Sequence, residues 1–161
     1  MNRPPSVVHN ALVKRRWEIP QGLHVCPDGS WRVGEYHVIH PPSLRYFKSH
    51  LVHENGGPAV VDGDQRIPIT VDGPAFQVMT LVLDRQKGEA RAVLDDGSVE
   101  TVGDGVLGMN RATGRFECAV RAGSFRAILG RGPHQALLDN LEEETGRFFL
   151  RVGERRIGVR T

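Results

Sequence analysis

The sequence predicts a single α+β domain built mainly from antiparallel hairpins, and three observations carry that expectation. Short apolar runs with period-two alternation recur along most of the chain, the pattern of strands with one buried face. Between them stand dipeptides such as Gly34–Glu35, Gly63–Asp64, Asp96–Gly97 and Gly153–Glu154, which suit tight hairpin turns. Helical periodicity is confined to a few short segments, with no helical crossover of the kind that joins parallel strands. About ten short strands and three helices are therefore expected.

The longest apolar segment, RIPITVDGPAFQVMTLVL from Arg66 to Leu83, organises the rest. In its first half Ile67, Ile69 and Val71 alternate with polar residues, predicting a strand with one wet face. Pro68 has no N–H to give a ladder and places that strand at an edge or bulge. Asp72, Gly73 and Pro74 break the run. From Phe76 to Leu83 both alternating faces are apolar, which predicts a central strand buried on both sides, Met79 included.

Composition narrows the class. With 161 residues, 39% of them hydrophobic and 25% charged, the chain has material for one globular core. The domain is expected over residues 21–161, behind an N-terminal arm of residues 1–20 in which Pro4, Pro5 and Pro20 interrupt any periodicity and Ala11–Trp17 offers a turn or two of helix. No apolar run approaches the roughly 20 residues of a membrane helix, and the N-terminus lacks the apolar stretch of a signal peptide. A cytoplasmic protein without membrane contact is expected. Cys26 and Cys118, the two cysteines, are too far apart in sequence for a CxxC pair or a thiolate zinc site and read as free, mostly buried thiols. The net charge of +2 hides an asymmetry: Arg3, Lys14, Arg15 and Arg16 make the start basic, five arginines against Glu154 make residues 147–161 basic, and the middle is acidic.

In chain order, LHVC, WRV and YHVIH read as strands. Glycine first in the Gly34–Glu35 turn would set Val33 against Tyr36 and Trp31 against Val38, with Trp31 in the core. Pro41 and Pro42 open a helix, SLRYFKSHLVHE, that Asn55 and Gly56 close; Leu44, Phe47 and Leu51 form its stripe. Val60 and Val61 lead through Gly63–Asp64 into the long segment. ARAVL and SVETV flank Asp96–Gly97 as a hairpin, and Phe116, Cys118 and Val120 mark a further one-faced strand. Ser124 reads as the N-cap of a short helix, FRAIL, and Pro133 starts another, HQALLDNLEEE, with Leu137, Leu138 and Leu141 inward and three glutamates set against its dipole. FFLRV and RRIGVR close the chain as a hairpin around Gly153–Glu154.

DGSW at 28–31, the helix with LRYF and Leu51, the PITVDGPAF run, the strand before SFRAIL, the PHQALLDNL helix and the closing hairpin follow one another in an order that resembles a bacterial family, domain of unknown function 1285. The resemblance covers roughly Leu23 to Val159 and implies an α+β fold in a bacterial cytoplasmic protein. It supplies no activity, substrate or catalytic residue. One departure is the entry to the first helix, where the family has Gly-Arg-Pro and this chain His40, Pro41 and Pro42.

Function has to be read from the residues. Five of the seven histidines, His24, His37, His40, His50 and His53, lie within one short region. His50 and His53, three apart on the expected helix, could share a metal in a hydrolase, but HxxH lacks the glutamate of HExxH, and packed or surface histidines are the plainer reading. No serine sits in a GxSxG elbow. GRGPH at 130–134 lacks phosphate-loop spacing and is not expected to follow a strand. GDGVLG at 103–108 has no helix after it. Asp62 with Asp64 and Asp95 with Asp96 read as turn residues. No catalytic residue, metal ligand or cofactor is assigned. The closing hairpin stands out instead. Its register sets Arg151 against Arg156 and Arg147 against Arg160, with Phe149 among them on the outer face and Phe148, Leu150, Val152, Ile157 and Val159 inward. Like charges across a sheet are unfavourable and call for an anion: Glu142, Glu143 and Glu144 from the same chain, or an external partner. The expected function is a non-catalytic binding or assembly module that meets an acidic protein or anionic ligand through Arg147, Phe149, Arg151, Arg156 and Arg160. The alternatives are a nucleic-acid or phosphate binder and a metal-dependent hydrolase, and homo-oligomers are compatible with all three.

Overall fold

Two-residue turns set the architecture of the computed structural model, which describes residues 18–161. The Ala11–Trp17 helix and most of the expected arm lie outside the described residues. Ile19 is buried in the core, and its N–H donates to Gln65 Oε1 at 3.2 Å.

The first sheet holds β1 (Leu23–Val25), β2 (Trp31–Val33), β3 (Tyr36–His37) and, parallel to β1, the later strand β7 (Thr70–Val71). Across the Gly34–Glu35 turn Arg32 faces His37 and Val33 faces Tyr36, the expected register. Trp31 is buried and donates from Nε1 to Ala75 O (2.9 Å).

Helix α1 (Pro41–Ser49) follows, and then a second sheet of β4 (Leu51–Glu54), β5 (Gly57–Asp62) and β6 (Gln65–Pro68). The helix expected through Glu54 thus ends five residues early. Asn55–Gly56 joins β4 to β5, with Glu54 opposite Gly57. Asn-Gly is a strong signal for a tight hairpin, and strand pairing to β5 outweighs a helical stripe that Leu51 fits only by spacing. Pro68 ends β6 at the edge of this sheet, as its missing N–H requires. The strand expected through Val71 splits at Ile69, passing from β6 in one sheet to β7 in another.

The largest sheet has the order β10-β9-β8-β13-β12-β11, from β8 (Phe76–Asp84), β9 (Glu89–Leu94), β10 (Val99–Val102), β11 (Leu107–Asn110), β12 (Arg115–Val120) and β13 (Phe125–Leu129). Strand β8 is central, as its apolar run predicts, but one face is open: Met79 is 53% exposed. A register shift between Val78 and Thr80 against β9 puts Gln77, Met79 and Thr80 outward while Phe76, Val78 and Leu81 are buried. A bulge resets the alternation, so burial on both sides does not follow from composition. FRAIL, expected as a helix, is β13. Its inward Phe125, Ala127 and Leu129 obey a period of two, and five residues between β12 and β8 gain ladders on both edges that a short helix would forgo. The β8–β13 pair is parallel.

Helix α2 (Arg131–Asp139) packs on β8, and β14 (Leu141–Glu144), β15 (Arg147–Val152) and β16 (Arg155–Val159) close the chain as a fourth sheet, antiparallel throughout. The glutamates expected at a helix end lie on β14. Thr145 (φ 53°) and Gly146 (φ 79°) turn that strand back into β15. The described residues therefore hold two helices and sixteen short strands, mostly antiparallel with two parallel pairings. One hydrophobic cluster, from Leu23, Trp31, Val60 and Phe76 to Leu137, Leu150 and Ile157, draws on every sheet. No helix among the described residues is long and apolar enough to cross a membrane.

Candidate functional site

The closing hairpin keeps the register that its Gly153–Glu154 turn dictates: Val152 faces Arg155, Arg151 faces Arg156, Leu150 faces Ile157, Phe149 faces Gly158 and Phe148 faces Val159. Leu150, Val152, Ile157 and Val159 are buried, which leaves the arginines outside. The last expected pair does not form. Arg160 leaves Arg147 and joins β11, donating its N–H to Leu107 O (2.9 Å) and accepting from Met109 N–H (2.9 Å) in an isolated bridge with Gly108.

The expected site residues divide into two sets. Arg151 holds Glu142 in a bidentate pair, Nε to Oε2 at 2.9 Å and Nη2 to Oε1 at 3.1 Å, and Nη1 donates to Glu154 O at 3.1 Å. The hydrogen bond from Arg151 holds the Glu142 carboxyl below its ordinary range, and the same bond raises Arg151. Arg156 donates from Nη1 to Glu144 Oε1 (2.7 Å) and lies over the Phe149 ring with its guanidinium carbon 3.9 Å from the centroid. Strand β14 thus supplies the internal anions for these two.

Arg147 and Arg160 remain. Both are exposed, and neither has an ion-pair partner among the described residues. They line one open groove of about 790 Å³ with Phe149, Arg156, Gly158 and Asp104; Arg151 is outside it. Arg160 is positioned by its backbone bridge and by Nε donating to Gly105 O. Its guanidinium lies over Gly108, where a Cβ would come within 2.9 Å of the guanidinium carbon. Asp104, a carboxylate in the lining, accepts from Gly158 N–H at 2.8 Å, so one oxygen is committed to holding the 103–106 turn against β16.

The histidines do not form the HxxH face expected of a helix. His50 caps the C-terminus of α1, with Nδ1 2.8 Å from Tyr46 O, whereas His53 is on β4 with its ring 6.2 Å from that of Phe125. Among the described residues no three His, Cys, Asp or Glu side chains gather as a metal site. Cys118 is buried, and burial pushes its thiol up to about 12; Cys26 is half-buried, and both are free.

A polar network went unread in the sequence. Lys48, on the apolar side of α1, is nearly buried and pairs with Asp95, which also accepts from Gln77 N–H (3.0 Å). Asp96 is 8% exposed and accepts from Ser98 N–H (3.0 Å), Ser98 Oγ and Arg121 Nη2 (2.5 Å). Burial opposes its charge, but the Ser98 bonds and the Arg121 guanidinium outweigh that and hold the carboxyl below its ordinary range. Arg121 also lies 4.7 Å over the Phe76 ring, 3.7 Å from Glu100, in a left-handed backbone (φ 52°) shared by Ala122 (φ 56°). The available signal was Lys48 itself, four residues after Leu44 on a stripe that should be apolar. The network ties α1, the β9–β10 loop and the β12–β13 loop together. GRGPH at 130–134 does follow a strand, β13, yet Gly130 N–H is spent on Val78 O (3.1 Å).

No protein-family model and no curated protein matches the chain. Among solved structures, a DUF1285 family protein from Silicibacter pomeroyi DSS-3 superposes with a TM-score of 0.67 at 23% identity, covering 98% of this chain and 88% of that one. A DUF1285 family protein from Shewanella baltica OS155 superposes with a TM-score of 0.54 at 11% identity, covering 69% of this chain and 85% of that one. The fold is theirs, in agreement with the resemblance carried by the motifs.

Proposed function

We propose that this chain, which has the fold of solved DUF1285 family proteins, is a non-catalytic binding module that takes an acidic protein segment or anionic ligand in the groove between β15, β16 and the 103–106 turn. One observation carries the reading: Arg151 and Arg156 have carboxylates from β14, while Arg147 and Arg160, in the same groove as Phe149, have none among the described residues. Two arginines that line one groove without a carboxylate partner make it attractive to an anion. Arg160 is held in place beforehand, which lowers the ordering cost of binding. Charge reversal at the two residues that lack partners, Arg147→Glu with Arg160→Glu, is the test, with retention on a heparin column as the readout. Wild type should be retained at low salt and released as salt rises. The double variant should elute earlier, while Arg151→Glu, outside the groove, should shift less. Elution of the double variant at the wild-type salt concentration, with the melting temperature unchanged, would overturn the assignment.

A further inference from the structure

Resting on that reading, we infer that the ligand class is a small phosphate ester carrying a planar ring, of mononucleotide type, with its ring on the Arg156 plane and its phosphate between Arg147 and Arg160. The platform is the first argument. Phe149 lies beneath the Arg156 guanidinium at 3.9 Å, Glu144 grips its Nη1 at 2.7 Å, and Glu142 stands 3.9 Å from its Nε. Arg156 is thus fixed flat with its charge compensated, while its side chain stays 32% exposed. A guanidinium plane so held stacks on a ring in the way that nucleic-acid binders stack bases on arginine. The floor beside it has no side chain: Gly158, opposite Phe149, has only Asp104 within 4 Å of where its Cβ would stand.

The second argument is the anion. A phosphate monoester offers more acceptor oxygens and more charge than one carboxylate, and two arginines without partners suit it better than a single acidic side chain. Asp104 keeps acceptor capacity beyond its bond to Gly158 N–H, which suits a ligand hydroxyl or amino group and disfavours a second phosphate there. Size decides against a polymer. About 790 Å³ falls within the range of small-molecule sites, whereas a single strand is held on successive aromatic platforms; of the two phenylalanines that line this groove, Phe148 packs against the core and Phe149 alone carries a guanidinium plane.

Calorimetric titration of the full chain with adenosine monophosphate, ribose phosphate, adenosine, oligothymidylate and polyglutamate tests the inference. Adenosine monophosphate should bind at least about fivefold more tightly than ribose phosphate, the low end of what one stacked base contributes, and also more tightly than adenosine. Phe149→Leu should erase the advantage over ribose phosphate, and Phe149→Tyr, which keeps the ring under Arg156, should retain it. Equal binding of the two phosphates, with both lost in Arg147→Glu/Arg160→Glu, would overturn the ring and leave the anion groove standing. Binding of oligothymidylate or polyglutamate alone would overturn the ligand class. Phosphate binding indifferent to both arginines, or no binding by any of the five probes at about 1 mM, would overturn the groove as well.

Discussion

Asp96 shows how far a turn residue can be drawn into a core. Its carboxylate is nearly sealed off and holds Arg121, whose backbone is left-handed at a non-glycine position, a conformation that costs roughly 1 kcal/mol or more. Asp96→Asn should destabilise the protein at neutral pH by roughly 1–3 kcal/mol, because the Arg121 guanidinium loses its best acceptor. The sign of the pH dependence follows from the depressed carboxyl. The stabilisation is full above the unfolded value of 3.8 and is lost as pH falls through the lower folded value. The urea stabilities of variant and wild type should therefore begin to approach each other only below about pH 4 and meet once pH has fallen through the lowered folded value. At Met79 the expectation reverses. A strand buried on both faces would not tolerate a carboxylate, but Met79 stands outside the bulge and is mostly exposed, so Met79→Asp should remain folded and lose about 1 kcal/mol or less in thermal melting.

At the scale of elements, Gly108 links the β11 strand to the groove. The three atoms that a methyl group there would approach most closely all belong to the end of the flexible Arg160 side chain. Gly108→Ala should leave the melting temperature nearly unchanged while displacing that guanidinium and weakening retention on heparin, the opposite pairing of effects from a core change. Hairpins with glycine first in the turn were legible in the sequence to the residue, because period two and a two-residue loop leave one register: both Val33 with Tyr36 and Arg151 with Arg156 stand where spacing puts them. Helix ends were not. Leu51 and Leu141 continue the spacing of the helices before them, yet both belong to strands, because pairing across Asn55–Gly56 and Thr145–Gly146 supplies ladders that a longer helix would forgo. FRAIL failed for a related reason, since five residues fit either period and only the neighbouring strands decide.

At the scale of the whole molecule, the four sheets share one core, and the groove arises where two of them meet, β16 running on from its own hairpin to bridge β11 at Gly108. The arginine face was legible in sequence as a set. Its partition was not, because which guanidiniums find internal carboxylates depends on β14 being a strand beside β15 and on Arg160 departing to β11. Lys48, Asp95 and Arg121 meet only through long-range packing, so their network had no local pattern beyond one lysine on an apolar stripe. On the proposed reading this groove, and not the polar network or the histidine-bearing α1–β4 segment, receives the anion. Backbone amide shifts of isotope-labelled full chain, titrated with heparin fragments at low salt, test it most directly. The largest changes are expected at Gly105, Arg147, Phe149, Gly158 and Arg160, diminished in Arg147→Glu/Arg160→Glu. Changes centred on His50 and His53, or on Asp96 and Arg121, with the groove amides unmoved, would contradict it.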